Sequence, residues 1–253
     1  MAVFEKTHEG KIRKGTSNRI RIGTLNIGKN VYDKEKEIFD MIEEKELDIL
    51  LMQEVGVAPE NAVTFENMAK RRGWDAIVGK HGKKDDKTGR ARASNAVLTR
   101  WHTRGVHIPW HKEHARRTQC VAVHRPGGAP VVIANVHMPH KQEEKTRTLR
   151  AIKKHMAELG ASHIIMGDFN TTPEEPIIKE MILRGRVKMM DKDNERAPTR
   201  TEEGKNVRHL DYAVAAQDIR RIDRGTKERN DHHLVWYDIE MDKVEDIYKW
   251  RPV

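Results

Sequence analysis

Several apolar stretches of this 253-residue chain end in a carboxylate, an amide or an imidazole. The residues at these ends are Asn26, Glu54, His137, Asp168, Asn170, Asp211, Asp231 and His232. A strand that ends in a polar residue directs that side chain to the rim of its sheet, where it is rigidly supported. The carboxylates and amides are hard oxygen donors, which favour magnesium or manganese over zinc. The two imidazoles are suited to phosphate contact or to proton transfer.

This combination of side chains indicates the hydrolysis of phosphoester bonds. Carboxylates near a divalent cation could orient a water molecule for in-line attack on phosphorus, and the cation would neutralise the charge that develops there. The chemistry requires the side chains to meet at one place, although they are spread over two hundred residues. The fold must therefore bring the ends of several strands to one edge.

Taken singly, these residues also have simpler structural interpretations. Asn26 is typical of a turn, Asp211 could be a surface charge on an edge strand, and Asp231–His233 could be a solvated loop. Glu54 follows a buried apolar run, where an unpaired carboxylate would be unfavourable. The segment Ile164–Asn170 contains the most specific motif, Gly-Asp-Phe-Asn, for which an Asx-type turn is the structural alternative. Their joint occurrence in this order favours the functional interpretation.

Hydrophobic periodicity predicts the elements that position these residues. Alternation at period two predicts a strand over Arg19–Asn26. Further strands are predicted at 48–52, 74–78, 94–99, 118–124, 131–136, 163–166, 208–215 and 234–241. Amphipathic helices are predicted at about 33–45, 60–72, 142–159 and 174–183. Pro126-Gly127-Gly128 predicts a hairpin, whereas the charged segments 81–93 and 220–229 are interpreted as exposed loops.

The order of these elements predicts the fold class. Strands outnumber helices, and hairpins are mixed with helical crossovers, which favours an α/β fold. We expect a four-layer α/β/β/α sandwich, in which two stacked mixed β-sheets are flanked by helices. Because no interior linker or repeat is present, we predict a flexible basic leader at 1–18, a single domain at 19–241 and a C-terminal tail at 242–253.

The motifs resemble, in order and spacing, those of the endonuclease/exonuclease/phosphatase superfamily. They are Thr24-Leu25-Asn26, Gln53-Glu54, Ser94-Asn95-Ala96-Val97-Leu98, Asn135-Val136-His137, Gly167-Asp168-Phe169-Asn170, Leu210-Asp211-Tyr212 and Asp231-His232. The superfamily includes pancreatic-type deoxyribonuclease, apurinic-site endonucleases, retrotransposon endonucleases, sphingomyelinases and inositol-polyphosphate phosphatases. The resemblance covers Arg19 to Met241, which is nearly the whole chain.

The resemblance implies a Mg²⁺ site, at which Mn²⁺ is an alternative. Glu54 would be the principal metal ligand, with Asn26 beside it and Asp231 near the metal. Asp168 would orient or deprotonate the attacking water, and Asn170 would hold the phosphate.

The resemblance also implies roles for the remaining polar residues. His232 would contact the scissile phosphate or transfer a proton, and Asp211 would orient its ring. His137 stands where deoxyribonuclease-like and sphingomyelinase-like members carry histidine, whereas apurinic-site enzymes carry tyrosine. Gly28 replaces an aspartate of some apurinic-site enzymes, and Asn230 replaces a serine found in many members. The histidine weakens a strict apurinic-site assignment, and Gly28 argues against an extra metal ligand at that position.

Composition bounds the partners and the compartment. The formal net charge is +9 and the isoelectric point about 9.5, which favours polyanions such as nucleic acid or anionic lipid. The single cysteine, Cys120, excludes an intramolecular disulfide and a cysteine metal cluster, and is expected to be an inert core residue. Neither a signal peptide nor an apolar run of about 20 residues is present. We expect a soluble intracellular monomer without stable membrane association.

Two substrate classes remain open from the sequence. The net charge, the basic segment 83–92 and Arg116-Arg117 favour nucleic acid, DNA in the first place, with Arg92, Arg116 and Arg117 as candidate contacts to its backbone. The alternative is a phosphatase or phospholipase that acts on a phosphoinositide, a sphingolipid or another small phosphorylated compound, with which His137 is compatible. A catalytically dead binding module is disfavoured because all the matched acidic and histidine positions are present.

Overall fold

The computed structural model describes residues 19–28, 31–79, 94–105, 118–124, 130–159, 162–185, 187–196, 198–202, 205–229 and 231–241. The predicted leader and tail lie outside these residues, and so do Pro126-Gly127-Gly128 and the predicted loop 81–93. The prediction of a single domain over 19–241 therefore stays a prediction.

The described residues form fourteen strands and four α-helices. The strands are β1 (Arg19–Asn26), β2 (Ile49–Gln53), β3 (Asp75–Val78), β4 (Ala96–Thr99), β5 (His102–Gly105), β6 (Thr118–His124), β7 (Val131–His137), β8 (His163–Asp168), β9 (Val187–Met189), β10 (Arg200–Glu202), β11 (Lys205–Arg208), β12 (Asp211–Ala216), β13 (Ile219–Lys227) and β14 (Leu234–Met241). The helices are α1 (Glu35–Glu44), α2 (Ala62–Arg71), α3 (Gln142–Leu159) and α4 (Pro176–Gly185). Short 3-10 turns precede α1 and α2, at Val31–Lys34 and Pro59–Asn61.

The strands form two six-stranded mixed sheets and one small ribbon. The first sheet has the order β13-β14-β1-β2-β4-β3, and the second has the order β5-β6-β7-β8-β12-β9. In each sheet one central pair is parallel, β1 with β2 and β7 with β8, and the other pairs are antiparallel. The ribbon consists of β10 and β11.

The core divides into three apolar layers that define the sandwich. The central layer lies between the sheets, where residues such as Ile22 and Leu51 meet residues such as Ile133 and Ile164. On the outer face of the first sheet, α1 and α2 bury their apolar stripes, for example through Phe39. On the outer face of the second sheet, α3 and α4 do the same. The predicted four-layer α/β/β/α sandwich is thus confirmed.

The prediction of a solvated loop at 220–229 is wrong, because most of it lies in β13 at the edge of the first sheet. A register irregularity between Arg221 and Asp223 interrupts the pairing of β13 with β14, so the apolar residues do not alternate at period two. Each basic side chain of this strand pairs with an acidic one. The pairs are Arg220–Glu240, Arg221–Glu195, Arg224–Asp191 and Lys227–Glu44.

Among the described residues, none of the helices has the length and apolar character needed to span a bilayer.

Candidate active site

One edge of the sandwich collects the polar residues predicted from the sequence. Asn26 ends β1, and Glu54 follows β2 directly, so both lie at the carboxyl ends of the parallel pair in the first sheet. His137 ends β7 and Asp168 ends β8, at the carboxyl ends of the parallel pair in the second sheet. Since the carboxyl ends of parallel strands share an edge, each sheet contributes two functional side chains to one site.

The amide of Asn26 connects the carboxylates of the two sheets. Its Nδ2 donates to Glu54 Oε1 at 3.2 Å and to Asp168 Oδ2 at 3.1 Å. The backbone N–H of Gly28 donates to Asn26 Oδ1 at 3.0 Å, which fixes the orientation of the amide. In this orientation Asn26 presents N–H groups to the site, so a metal bond through Oδ1 would require the amide to rotate.

His137 lies against the same two carboxylates. Its Nε2 is 3.6 Å from Glu54 Oε1 and 3.9 Å from Asp168 Oδ2, and its side chain is buried. Glu54 is the more accessible acid, with 27 % of its side chain exposed against 2 % for Asp168. It also adopts a left-handed backbone conformation, with φ of 53°. Such a conformation is uncommon outside glycine and is frequent at functional sites.

The turn after β8 fixes the direction of Asp168. The backbone N–H of Asn170 donates to Asp168 Oδ1 at 2.9 Å, while Oδ2 of the same carboxylate accepts from Asn26. Asn170 has φ of 47°, and its Nδ2 donates to the carbonyl of Met138 at 2.8 Å. The Asx-type turn weighed as an alternative is therefore present, and it orients the carboxylate towards the site. Both oxygens of Asp168 are thus held in place before any ligand binds.

His232 approaches Asp168 from the other side. Its Nε2 is 3.9 Å from Asp168 Oδ2, and its Nδ1 is 3.0 Å from Asp211 Oδ2. Asp211 pairs directly with Asp168 across β12 and β8 and is fully buried, so it is neither a surface charge nor an edge residue. Thr199 Oγ1 donates to Asp211 Oδ2 at 2.9 Å and accepts from the N–H of Asp211.

The charges around His232 favour its imidazolium form. Burial opposes protonation, but the carboxylates of Asp211, Asp168 and Asp231 outweigh it and raise the pKa of His232 to about 9. Its Nδ1–H then donates to Asp211, and Nε2–H faces Asp168. A protonated imidazole beside the Asp168 carboxylate is suited to binding a phosphate oxygen or to protonating a leaving oxygen.

Asp231 borders a cleft next to these residues. Its side chain is 63 % exposed, and Oδ1 lies 3.6 Å from Nε of Arg200. The cleft has a volume of about 500 Å³ and contacts Asn26 and Asp231 together. Its remaining lining residues are Ile27, Gly28, Lys34, Glu37, Glu228 and Arg229. Asp231 thus lies near Asn26, although it belongs to the last part of the chain.

A buried amide network joins the two sheets beneath the site. Gln53 Nε2, from the first sheet, donates to Asn135 Oδ1 of the second sheet at 2.7 Å. Asn135 Nδ2 donates in return to the carbonyls of Met52 at 3.1 Å and Ala96 at 3.0 Å. Gln53 precedes Glu54, and Asn135 lies two residues before His137. The network therefore fixes the spacing between the halves of the site.

A sequence comparison identifies the family. Residues 23–232 match the sequence model of the Endonuclease/Exonuclease/phosphatase family. The chain belongs to this family. Its members hydrolyse phosphoester bonds and generally use a divalent metal ion, which agrees with the carboxylates and imidazoles at this edge of the sandwich. A comparison with curated proteins found no sequence match.

Solved structures of the endonuclease/exonuclease/phosphatase fold are similar over most of the chain. The AP endonuclease LMAP from Leishmania major has a TM-score of 0.70 at 12% identity, with 91% of this chain and 92% of that chain covered. The human nocturnin catalytic domain with bound sulfate has a TM-score of 0.67 at 15% identity, covering 88% and 95%. The 3′ phosphatase NExo from Neisseria, bound to product DNA hairpin, has a TM-score of 0.63 at 15% identity, covering 88% and 99%. At these identities the likeness establishes the fold.

The side chains present fit the divalent metal of this family. Two groups of donors are available. Asp168, Asp211 and His232 offer ligand atoms within 4.8 Å of one another, but Nδ1 of His232 is already bonded to Asp211. That pairing is typical of an acid–base group, whereas Mg²⁺ prefers oxygen ligands. Glu54 is a partly exposed carboxylate whose Oε1 shares the amide of Asn26 with Asp168, so it is the better ligand for a hard cation.

Three residues predicted from the sequence are not part of the site described above, and two residues that support the site were not predicted. Arg92, Arg116 and Arg117 lie outside the described residues. Conversely, the sequence reasoning missed Thr199 and Lys145. Thr199 bonds the oxygen of Asp211 that faces His232, and Lys145 reaches the backbone of Asn170 from α3. Thr199 falls in a polar stretch without periodicity, and Lys145 is one of several lysines on a charged helix, so neither had a distinguishing signal.

Proposed function

We propose that this protein is a divalent-metal-dependent phosphodiesterase that hydrolyses the backbone of nucleic acid, DNA in the first place, by in-line attack of water. One observation carries the chemistry. The two oxygens of Asp168 are each fixed by a separate N–H donor, and the same carboxylate lies 3.9 Å from the imidazole of His232 and 3.9 Å from that of His137. A carboxylate oriented in this way is suited to hold and deprotonate a water molecule.

The roles of the other side chains follow from their positions. Glu54 is the main candidate ligand for Mg²⁺, or for Mn²⁺, with Asp231 and the amide of Asn26 nearby. The metal, when bound, supplies positive charge that offsets the charge developing on the phosphoryl oxygens. His232, protonated and oriented by Asp211, contacts the scissile phosphate or protonates the leaving oxygen. His137 and Asn170 complete the phosphate-binding side of the site.

The preference for a polymeric substrate rests on charge and on its position. The segment 80–93 contains six Lys or Arg and two Asp, and the segment 106–117 contains Arg116 and Arg117. Gly79 and Ser94 flank the first segment, and both lie at the edge that carries Glu54, since Val78 and Met52 both pair with Ala96. Thr118 follows the second segment and pairs with Val136, next to His137. The basic segments thus begin or end beside the site, which supports contacts with a polyanion.

A phosphatase or phospholipase acting on a small phosphorylated compound is the second candidate. The described side chains surround a single phosphoryl centre, and a small phosphorylated compound also has such a centre. The 3′ phosphatase NExo, solved with a product DNA hairpin, shares the fold, which supports phosphatase chemistry as an alternative to backbone cleavage. This candidate predicts turnover that responds little to salt.

The deciding experiment is a cleavage panel with Mg²⁺ and with EDTA. Supercoiled plasmid, an abasic-site duplex and single-stranded RNA are compared with phosphoinositides and sphingomyelin. We expect metal-dependent nicking that is lost in Asp168→Ala and kept in Asp40→Asn, whose carboxylate is exposed on α1. Phosphate or headgroup release without nicking would favour the second candidate. Nicking that persists in Asp168→Ala would exclude this carboxylate from the reaction.

A further inference from the structure

Lys145 is a lysine whose burial is out of keeping with its helix. It lies in the first turns of α3, and the cations near it in sequence are exposed: Lys141, directly before the helix, by 81 % and Arg147 by 59 % of their side chains. Lys145 is 4 % exposed, although lysine is almost never fully buried without a partner. Its Nζ donates to the backbone carbonyl of Asn170 at 2.6 Å. The lysine therefore crosses from the helix layer to the turn that carries the Asp168 carboxylate.

The bond from Lys145 is one of three hydrogen bonds that hold Asn170. The N–H of Asn170 donates to Asp168 Oδ1, and its side-chain amide donates to the carbonyl of Met138. The carbonyl of Asn170 is the other polar group of its backbone, and it accepts the hydrogen bond from Lys145. Because Asn170 has φ of 47°, its N–H and C=O directions depend on maintaining a conformation that few non-glycine residues adopt.

Two nearby carboxylates partly offset the cost of burying the Lys145 ammonium. Burial lowers the pKa of Lys145 overall, and the carboxylates of Glu175 and Asp168 offset only part of this effect. Asp168 thus has the ammonium of Lys145 within its electrostatic surroundings. Charge-assisted hydrogen bonds of this kind are shorter and stronger than neutral ones, which agrees with the 2.6 Å distance.

We infer that Lys145 is a positioning residue of the active site, which fixes the backbone of Asn170 and, through its N–H, the direction of the Asp168 carboxylate. The inference rests on the proposed function only in assigning Asp168 a part in the reaction. A lysine that merely fastened α3 to the second sheet would affect stability without affecting turnover. A substitution of Lys145 therefore distinguishes the two roles, because only a positioning role predicts a change in turnover.

The kinetic test compares Lys145→Met with Lys145→Arg and with Lys141→Met, using the phosphoester substrate that the wild type cleaves. Lys145→Met removes the donor and keeps an unbranched apolar chain. We expect kcat to fall by about 10²-fold, the order expected for a misplaced catalytic group, with KM little changed. Lys145→Arg restores a large part of kcat because it keeps a charged donor. Lys141→Met, at an exposed residue directly before the same helix, keeps wild-type kcat.

A second readout does not depend on turnover. In the Lys145→Met protein the backbone amide resonance of Asn170 is expected to shift and its hydrogen exchange to quicken, while amides of the distant strand β14 stay unchanged. If the wild type cleaves no phosphoester, the proposed function fails, but the amide measurement still tests the positioning role. Should Lys145→Met not fold, Lys145→Gln, which keeps a shorter N–H donor, carries both measurements. Wild-type kcat, or an unchanged Asn170 amide, would refute the inference.

Discussion

His232 is charged because of the carboxylates around it. Its raised pKa results from Asp211, Asp168 and Asp231, which overcome the effect of burial. The ion pair with Asp211 therefore contributes its full stabilisation below the ordinary histidine pKa of about 6.5, and this stabilisation is lost as the pH rises through about 9. The same pairing keeps the ring oriented, because Nδ1–H has a single carboxylate partner at 3.0 Å.

We predict that Asp211→Asn lowers the pKa of His232 in the metal-free protein. The amide removes the nearest negative charge while it keeps the size of the side chain, so the pKa falls from about 9 towards 6.5. The measurement is an NMR titration of the imidazole in both proteins. The ion pair between His232 and Asp211 stabilises the wild type most at low pH. The difference in the free energy of unfolding between the two proteins therefore decreases as the pH rises from 6.5 towards 9. Identical titration curves would show that Asp211 does not set the charge.

We predict that Glu54→Gln loses metal-dependent turnover while the protein remains folded. A neutral amide cannot balance the charge of the cation, and a loss of about 10²-fold or more is expected. Calorimetric titration with Mn²⁺ should show weaker binding in the same variant. Glu43→Gln, an exposed glutamate of α1, is the matched control. Wild-type activity and metal affinity in Glu54→Gln would remove this residue from the metal site.

At the residue scale, polar residues at the ends of strands were easier to predict from the sequence than the residues that hold them in place. Asp168 and Glu54 were identifiable because a carboxylate next to a buried apolar run is unfavourable unless it is paired or binds a ligand. Lys145 carried no such signal, since its burial depends on the position of α3 over the turn at Asn170. The orientation of the Asn26 amide was equally out of reach, because it is set by the N–H of Gly28 in the folded chain.

The parallel pair β7 and β8 requires a glycine just before Asp168, the proposed catalytic carboxylate. Gly167 pairs with Val136 and has φ of 148°, and a Cβ at this position would overlap the carbonyl oxygen of Val136. The main chains of the two strands therefore approach more closely here than any other residue allows. This approach sets the distance between His137 and Asp168, which pair at the next step of the ladder.

We predict that Gly167→Ala lowers the free energy of unfolding by about 3 kcal/mol or more, since backbone overlap cannot be relieved by a change of rotamer. Gly105→Ala, in β5 of the same sheet, meets no atom within 4 Å and should change stability by less than about 0.5 kcal/mol. Chemical denaturation of the three proteins measures both values. Equal stability of the two variants would contradict the close approach of β7 and β8.

At the element scale, prediction succeeded where periodicity was regular and failed where it was interrupted. The predicted bounds of β1 and α3 match the structure, because β1 begins with clear alternation over Arg19–Ile22 and α3 carries a regular apolar stripe. β13 was missed because its register shifts near Ile222 and its charges are neutralised by partners from other elements. β9 and β10, with three residues each, are too short for any periodic signal.

The distribution of charge over the molecule differs from what the net value suggests. The basic side chains of β13 are paired with acids, so this strand adds little attraction for a polyanion. In the sequence, the segment 80–93 has six Lys or Arg against two Asp, and the residues that flank it lie at the edge of the candidate site. The place of such basic segments in the chain, more than the net charge, therefore supports the proposed nucleic-acid substrate.

We predict that the double substitution Arg92→Ala with Arg116→Ala weakens nucleic-acid binding and flattens its salt dependence. Each lost phosphate contact should reduce the slope of log K against log salt by about 0.9. Fluorescence anisotropy over a salt series measures this slope. Arg220→Ala, which removes a cation paired with Glu240, should leave the slope unchanged. An unaltered slope in the double variant would place the contacts elsewhere.

The chain order of the two sheets determines when the site is completed during synthesis. All six strands of the second sheet lie between His102 and Ala216, so they can pair as soon as this stretch has left the ribosome. The first sheet instead joins β1 to β14, and one side of β1 has no partner until residues 234–241 are made. Asp231 and His232 directly precede that strand. A nascent chain therefore acquires Asp231 and His232, two residues of the candidate site, only just before the strand that pairs with the free side of β1, and we expect translation products that stop before residue 231 to be inactive.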